Sequence, residues 1–129
     1  LEEDFRAVLL AAGAVTALAP AARINWGAHP QGAAYPAIVL NTISGAEGYT
    51  YSGPDGLSQG RVQVDCYGHS YADAKGLSRA VIAAIGGYSG ANFQGIFHAS
   101  TRDSREGGSN EADRPYRVSL DFMTHWRET

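Results

Sequence analysis

The 129 residues, 44% hydrophobic and 18% charged, suffice for one core and are too few for a two-domain enzyme, so a single domain over 1–129 is expected. Thirteen acids against ten bases leave a formal net charge of -3, which removes the usual electrostatic basis for gripping a nucleic-acid backbone. The lone Cys66 closes no internal disulfide, no apolar run approaches the roughly 20 residues of a membrane-spanning helix, and the start Leu1-Glu2-Glu3-Asp4 is acidic where a signal peptide is basic, so a soluble, intracellular chain without a membrane partner is expected.

In residues 2–18, Phe5, Val8, Leu9, Ala12, Val15 and Leu18 recur at three- and four-residue steps behind an acidic first turn, which predicts a helix. Gly13 weakens its middle, so the regular part ends near Ala12 with a further turn before Ala19, and Pro20 stops it. Residues 23–36 mix Trp26, Gly27, Pro30, Gly32, Tyr35 and Pro36 without either period and are predicted as an ordered loop. Ile38, Val39, Leu40 and Ile43 make 37–44 a strand. Residues 45–60 hold five glycines and the turn signal Pro54-Asp55-Gly56 around Tyr49 and Tyr51, as in a hairpin connection with a long tip.

The next strand alternates: Val62, Val64 and Cys66 face the core, while Arg61, Gln63, Asp65 and Tyr67 face away. Ser70, three residues before Asp73, opens a second helix with Leu77, Ala80, Val81, Ala84 and Ile85 on one stripe, and Gly86-Gly87 ends it. Residues 94–101 read as a strand through Ile96, Phe97 and Ala99. Residues 116–126 alternate most clearly, with Val118, Leu120, Phe122, Thr124 and Trp126 on one face and Arg117, Ser119, Asp121, Met123 and His125 on the other. Between these two strands, 103–114 has no large apolar residue and is predicted as a mobile hairpin arm. The sum is an α+β fold: a four-stranded antiparallel sheet with two helices packed on one face and long hairpin arms.

Catalytic patterns are weak. Gly56-Leu57-Ser58-Gln59-Gly60 fits the serine-hydrolase elbow, but that motif needs a strand before the serine and a helix after it, and here a strand follows. Tyr71 and Lys75 stand four apart as in some dehydrogenases, without the glycine-rich phosphate loop that accompanies them. His29, His69, His98 and His125 are scattered singly. His98 and His125 fall on two neighbouring predicted strands whose polar face also carries Asp65 and Asp121, the one place where a metal or acid–base cluster finds its residue types; an exposed polar sheet face is the simpler reading. No enzyme activity, metal or cofactor is expected. Two long arms on a minimal domain instead suit a protein that orders them against neighbouring subunits.

The chain resembles the tail-completion or tail-terminator proteins of long-tailed bacteriophages, prophages and gene transfer agents. The likeness runs through the helix at Phe5 to Leu10, then Arg23-Ile24-Asn25-Trp26-Gly27 and Pro30-Gln31-Gly32-Ala33-Ala34-Tyr35-Pro36 leading into Ile38-Val39. It continues through Arg61-Val62-Gln63-Val64-Asp65-Cys66-Tyr67, Tyr71-Ala72-Asp73-Ala74-Lys75 and Tyr116-Arg117-Val118-Ser119-Leu120-Asp121-Phe122. Where the family places an aromatic directly after the proline, this chain has Ala37, with Tyr35 ahead of it.

The resemblance implies a structural role: capping the finished tail tube as a closed ring, often hexameric, and offering a docking surface for head–tail joining. The implied partners are other copies of the chain, the major tail tube protein and the head–tail connector protein, with DNA only in transit through the lumen. The implied location is the head–tail junction of the virion tail, after assembly in the host cytoplasm. A head-side connector or stopper is the alternative, and a small serine hydrolase using Ser58 comes last. A ring joins two different patches of each subunit, and the polar sheet face and the arms are the candidates. The interface residues expected are Tyr49, Tyr51, Arg102, Arg105, Arg114, Arg117 and Asp121.

Overall fold

The computed structural model describes residues 2–27, 35–43, 51–52, 57–90, 93–105 and 116–127. The first amphipathic stretch forms α1 (Glu2–Ala11) and a single further turn, α2 (Gly13–Thr16). They are separate because Ala12 takes an extended conformation, φ -87° and ψ 103°, which is the break near Ala12 followed by a further turn that the sequence predicts. After the 3₁₀ turn Ala21–Arg23 come β1 (Ile24–Trp26), β2 (Ala37–Thr42), β3 (Tyr51–Ser52) and β4 (Leu57–Gly68). The second long helix, α3 (Tyr71–Ile85), is capped as expected: the Asp73 amide donates to Ser70 Oγ at 3.1 Å. It is followed by β5 (Phe93–Arg105) and β6 (Tyr116–Arg127).

Five strands lie side by side in the order β1-β2-β4-β6-β5, and β3 adds two residues beside β4. The four predicted strands form the antiparallel centre, β2-β4-β6-β5. The expected four-stranded antiparallel sheet is corrected at its ends. Ile24–Trp26 pairs with β2 in parallel, which makes the sheet mixed, and β3 pairs with Ser58 and Gln59 of β4. Strands of three and two residues are too short for a period of two to show, and only their pairing partners define them.

The arms are shorter than expected. β4 begins at Leu57, and Asp103, Ser104 and Arg105 continue β5 opposite Val118, Arg117 and Tyr116. A backbone ladder needs no large apolar side chain, which is why composition placed these residues outside the sheet. Residues 44–50, 53–56 and 106–115 lie outside the described residues.

The helices cover one face. Phe5, Leu9, Val15, Leu77, Val81 and Ile85 are buried against Ile38, Leu40, Val62, Val64, Cys66, Val118, Leu120 and Phe122. Phe5 is the hub, with the rings of Trp26, Phe93 and Phe122 set edge-on at 6.2, 6.2 and 6.4 Å. Arg6 ties α1 to the sheet margin: Nε donates to Ile24 O at 2.8 Å and Nη2 to Ala21 O at 2.9 Å.

Candidate functional site

The face opposite the helices is where the predicted polar positions collect. Cross-strand register sets them in rows: Arg61–Met123–Phe97, then Gln63–Asp121–Ser100, then Asp65–Ser119–Arg102, then Tyr67–Arg117–Ser104. The register shift between His98 and Ser100 keeps Ser100 and Arg102 on this face after Phe97. Without that bulge, the period of two from Phe97 would have put Ala99 and Thr101 there instead.

A chain of polar contacts runs across β4, β6 and β5. Asp65, 3% exposed, accepts from Ser119 Oγ at 2.6 Å and from Gln63 Nε2 at 3.0 Å to each carboxyl oxygen. Gln63 Oε1 in turn accepts from Arg102 Nη2 at 3.5 Å. Asp121 accepts from Ser100 Oγ at 2.9 Å through Oδ2, while its buried Oδ1 has no hydrogen bond and only the Arg102 guanidinium, 4.0 Å away. Both contacts of Arg102 are at the long limit of their kind, and its side chain is 63% exposed. The acids are therefore sunk into the face, and the guanidinium stands above them.

Phe97 is half exposed, with its ring folded back over Gly95 and edge-on to His125 at 5.7 Å. The Arg61 side chain is exposed and makes no hydrogen bond or ion pair among the described residues. At the far end of the sheet, Tyr35 packs against Tyr67 at 6.1 Å and His69 at 5.4 Å, while Ala37 is fully buried. Guanidinium, aromatic and thioether groups together are the composition of protein–protein contact surfaces.

Of the expected interface residues, Arg102, Arg117 and Asp121 share this face. Tyr51 lies in β3 opposite Gln59, and Arg105 ends β5 opposite Tyr116. Tyr49 and Arg114 lie outside the described residues. The sequence reading did not single out Ser119, Gln63, Ser100 and Phe97 as site residues. Alternation showed Gln63 and Ser119 pointing away from the core, but which residues face each other across strands carries no local signal.

The catalytic alternatives do not assemble. Ser58 lies within β4, paired with Ser52 on one side and Trp126 on the other, rather than on a strand-to-helix turn. His98 lies opposite Phe122 on the helix side of β5, bonded to Thr101 Oγ1 at 2.7 Å, so it does not share a face with His125. Among the described residues, no three His, Cys, Asp or Glu side chains group as metal ligands. Lys75 Nζ sits 5.9 Å from the Tyr71 ring centroid, a cation over a ring rather than an activated phenol. Burial, and then the neighbouring Asp65, push the Cys66 thiol far above its ordinary range, leaving it an inert core residue. No helix among the described residues is long and apolar enough to cross a membrane.

No curated protein matches the chain. Among solved structures, a chain from "Virion of native gene transfer agent (GTA) particle" is similar in fold, with a TM-score of 0.61 and 21% identity over 95% of this chain and 90% of that one. The family model "Tail completion protein gp17" matches residues 3–126, and the chain accordingly belongs to this family of phage tail structural proteins.

Proposed function

We propose that the chain caps the finished tail tube as a closed ring of copies, six by the family pattern, and presents the surface on which the head joins. Family membership over residues 3–126 carries this reading. The unlike faces of the sheet support it, since a helix-covered face and a face carrying the exposed Arg61 and Arg102 guanidinia are two different patches of the kind a head-to-tail ring contact joins. The interface residues are Arg102, Arg117 and Asp121 on the face opposite the helices, Tyr51 in β3 and Arg105 at the end of β5, together with Tyr49 and Arg114, which lie outside the described residues. The major tail tube protein lies on one side of the ring and the head–tail connector protein on the other, and DNA crosses the lumen in transit. The ring is built in the host cytoplasm and stays at the head–tail junction of the virion.

Native mass spectrometry at micromolar concentration, with and without the tail tube protein, tests this. A closed oligomer bound to the tube end is expected. A chain that stays monomeric under both conditions overturns the reading, and capture by the portal-side adaptor with no affinity for the tube assigns it instead to the head-side connector.

A further inference from the structure

Phe97 is the most exposed large apolar side chain among the described residues, at 51%. A ring left free on a strand samples several rotamers, but this one is confined. Register shifts on either side of Gly95–His98 set this short piece of β5 apart from the rest of the strand. Gly95, two residues before Phe97 and so on the same face, gives the ring room to lie down: a Cβ there would fall 2.6 Å from Phe97 Cζ and 2.7 Å from Cε2. His125, opposite Gly95 on β6, stands edge-to-face with the ring at 5.7 Å. Phe97 therefore lies over Gly95 with its other side toward solvent, beside Met123 in the row that ends at Arg61.

We propose that Gly95 seats Phe97 as the anchor of the contact between copies, and that the outer surface of α1 and α2 of a second copy covers it. This rests on the ring reading above and supplies its subunit contact. A ring already held in its bound position gives up little rotamer freedom on docking, which suits it to anchor a contact. Charge and polarity choose the occupant. The sheet face exposes Arg61 and Arg102, while Asp65 is buried and Asp121 nearly so. Between residues 3 and 27 the exposed side chains are alanines, Pro20, Leu18 at 42%, and one charged group, Glu3, which makes no hydrogen bond or ion pair among the described residues; Asp4, Arg6 and Arg23 are half-buried. Arg6, one turn past Glu3, holds the carbonyl of Ala21, three residues past Leu18, which keeps the carboxylate and the apolar side chain in one neighbourhood. An apolar surface bearing one carboxylate is the complement of a ring flanked by two guanidinia. The outer surface of α3 suits less well, since the exposed Arg79 midway along it would bring like charge to Arg61 and Arg102.

Gly95→Ala tests the seat. Gly95 holds no positive φ, and its added Cβ would displace only the far end of a side chain, so the ring moves while the strand stays. The urea midpoint is expected to remain near that of the unaltered chain, and the ring protons of His125 to shift as the Phe97 ring current leaves them. Self-association in native mass spectrometry is expected to weaken about tenfold or more, as with Phe97→Ala, and Gly95→Ala is expected to add nothing in a Phe97→Ala background. A charge exchange tests the occupant: one variant carries R61E and R102E, the other E3R. Each alone is expected to lose about tenfold or more at low salt, and an equimolar mixture to regain it. If Gly95→Ala unfolds the chain, Phe97→Ala and the charge exchange, all at exposed side chains, decide in its place. Unmoved His125 resonances, undiminished assembly of Gly95→Ala or Phe97→Ala, or a mixture that stays apart overturns the proposal. If the unaltered chain fails to assemble even with tube protein, the ring reading fails and this contact with it; if it assembles and these variants assemble like it, only this contact is overturned.

Discussion

At the residue scale, the most constrained polar group is the Asp65 carboxyl, which accepts three hydrogen bonds at a position 3% exposed on the face opposite the helices. Ser119→Ala removes the shortest of them and leaves a buried acceptor short of a donor, a loss of about 1–3 kcal/mol that urea unfolding should show as a lower midpoint at unchanged slope. Cys66 gives a pH signature. Its thiol stays protonated in the folded chain but ionises near 8.5 once unfolded, so its contribution is complete below that pH and is lost as pH rises further. Stability measured between pH 8 and 10 should therefore fall by up to about 1.4 kcal/mol per unit from this group, and Cys66→Ala should remove that slope whatever it costs in packing. The sequence made both residues visible as members of an alternating strand. It did not reveal that Asp65 is enclosed, because the enclosing side chains come from Ser119, 54 positions away.

At the element scale, the helices act through two narrow joints. Gly68 closes β4 directly under α3, where an added Cβ would lie 2.6 Å from the Ala74 backbone nitrogen and 2.8 Å from Asp73 Cβ. Gly68→Ala should force strand and helix apart and cost roughly 1–3 kcal/mol in chemical denaturation. The second joint is Arg6, whose two bonds to carbonyls of the Ala21–Arg23 turn and β1 hold α1 against the margin of the sheet. Arg6→Ala should speed hydrogen exchange at the amides of α1 and β1 while leaving α3 and β6 protected. Elements with a strong period, α1, α3, β2 and the centres of β4 and β6, were readable from sequence because each buries a continuous stripe. β1, β3 and the last turns of β5 were not, since they exist through pairing with a neighbour and carry no apolar pattern of their own.

At the scale of the whole molecule, the layers have unequal tasks. Helices and sheet bury their apolar surfaces on each other, with Phe5 at the centre, while the other face adds the buried hydrogen bonds of Asp65 and Ser119. The ring reading predicts that substitutions at the exposed Arg102 or Phe97 alter subunit association far more than unfolding midpoints, a contrast visible by comparing native mass spectrometry with urea titration of the same variants. The fold class was legible because alternation and helical stripes agreed on a single buried layer. The surface was legible only as a set of outward residues; their grouping into a network depends on the bulge between His98 and Ser100.

The two margins of the sheet differ. At β1 the outward Ile24 carbonyl is already occupied by the Arg6 guanidinium. At β5 the first outward groups are taken by Gly87 and Tyr88 at Ile96, and from Phe97 onward the margin is open among the described residues. Among the described residues an incoming strand therefore finds free backbone groups along β5 rather than at Ile24, so the two borders offer unequal invitations to a neighbouring molecule.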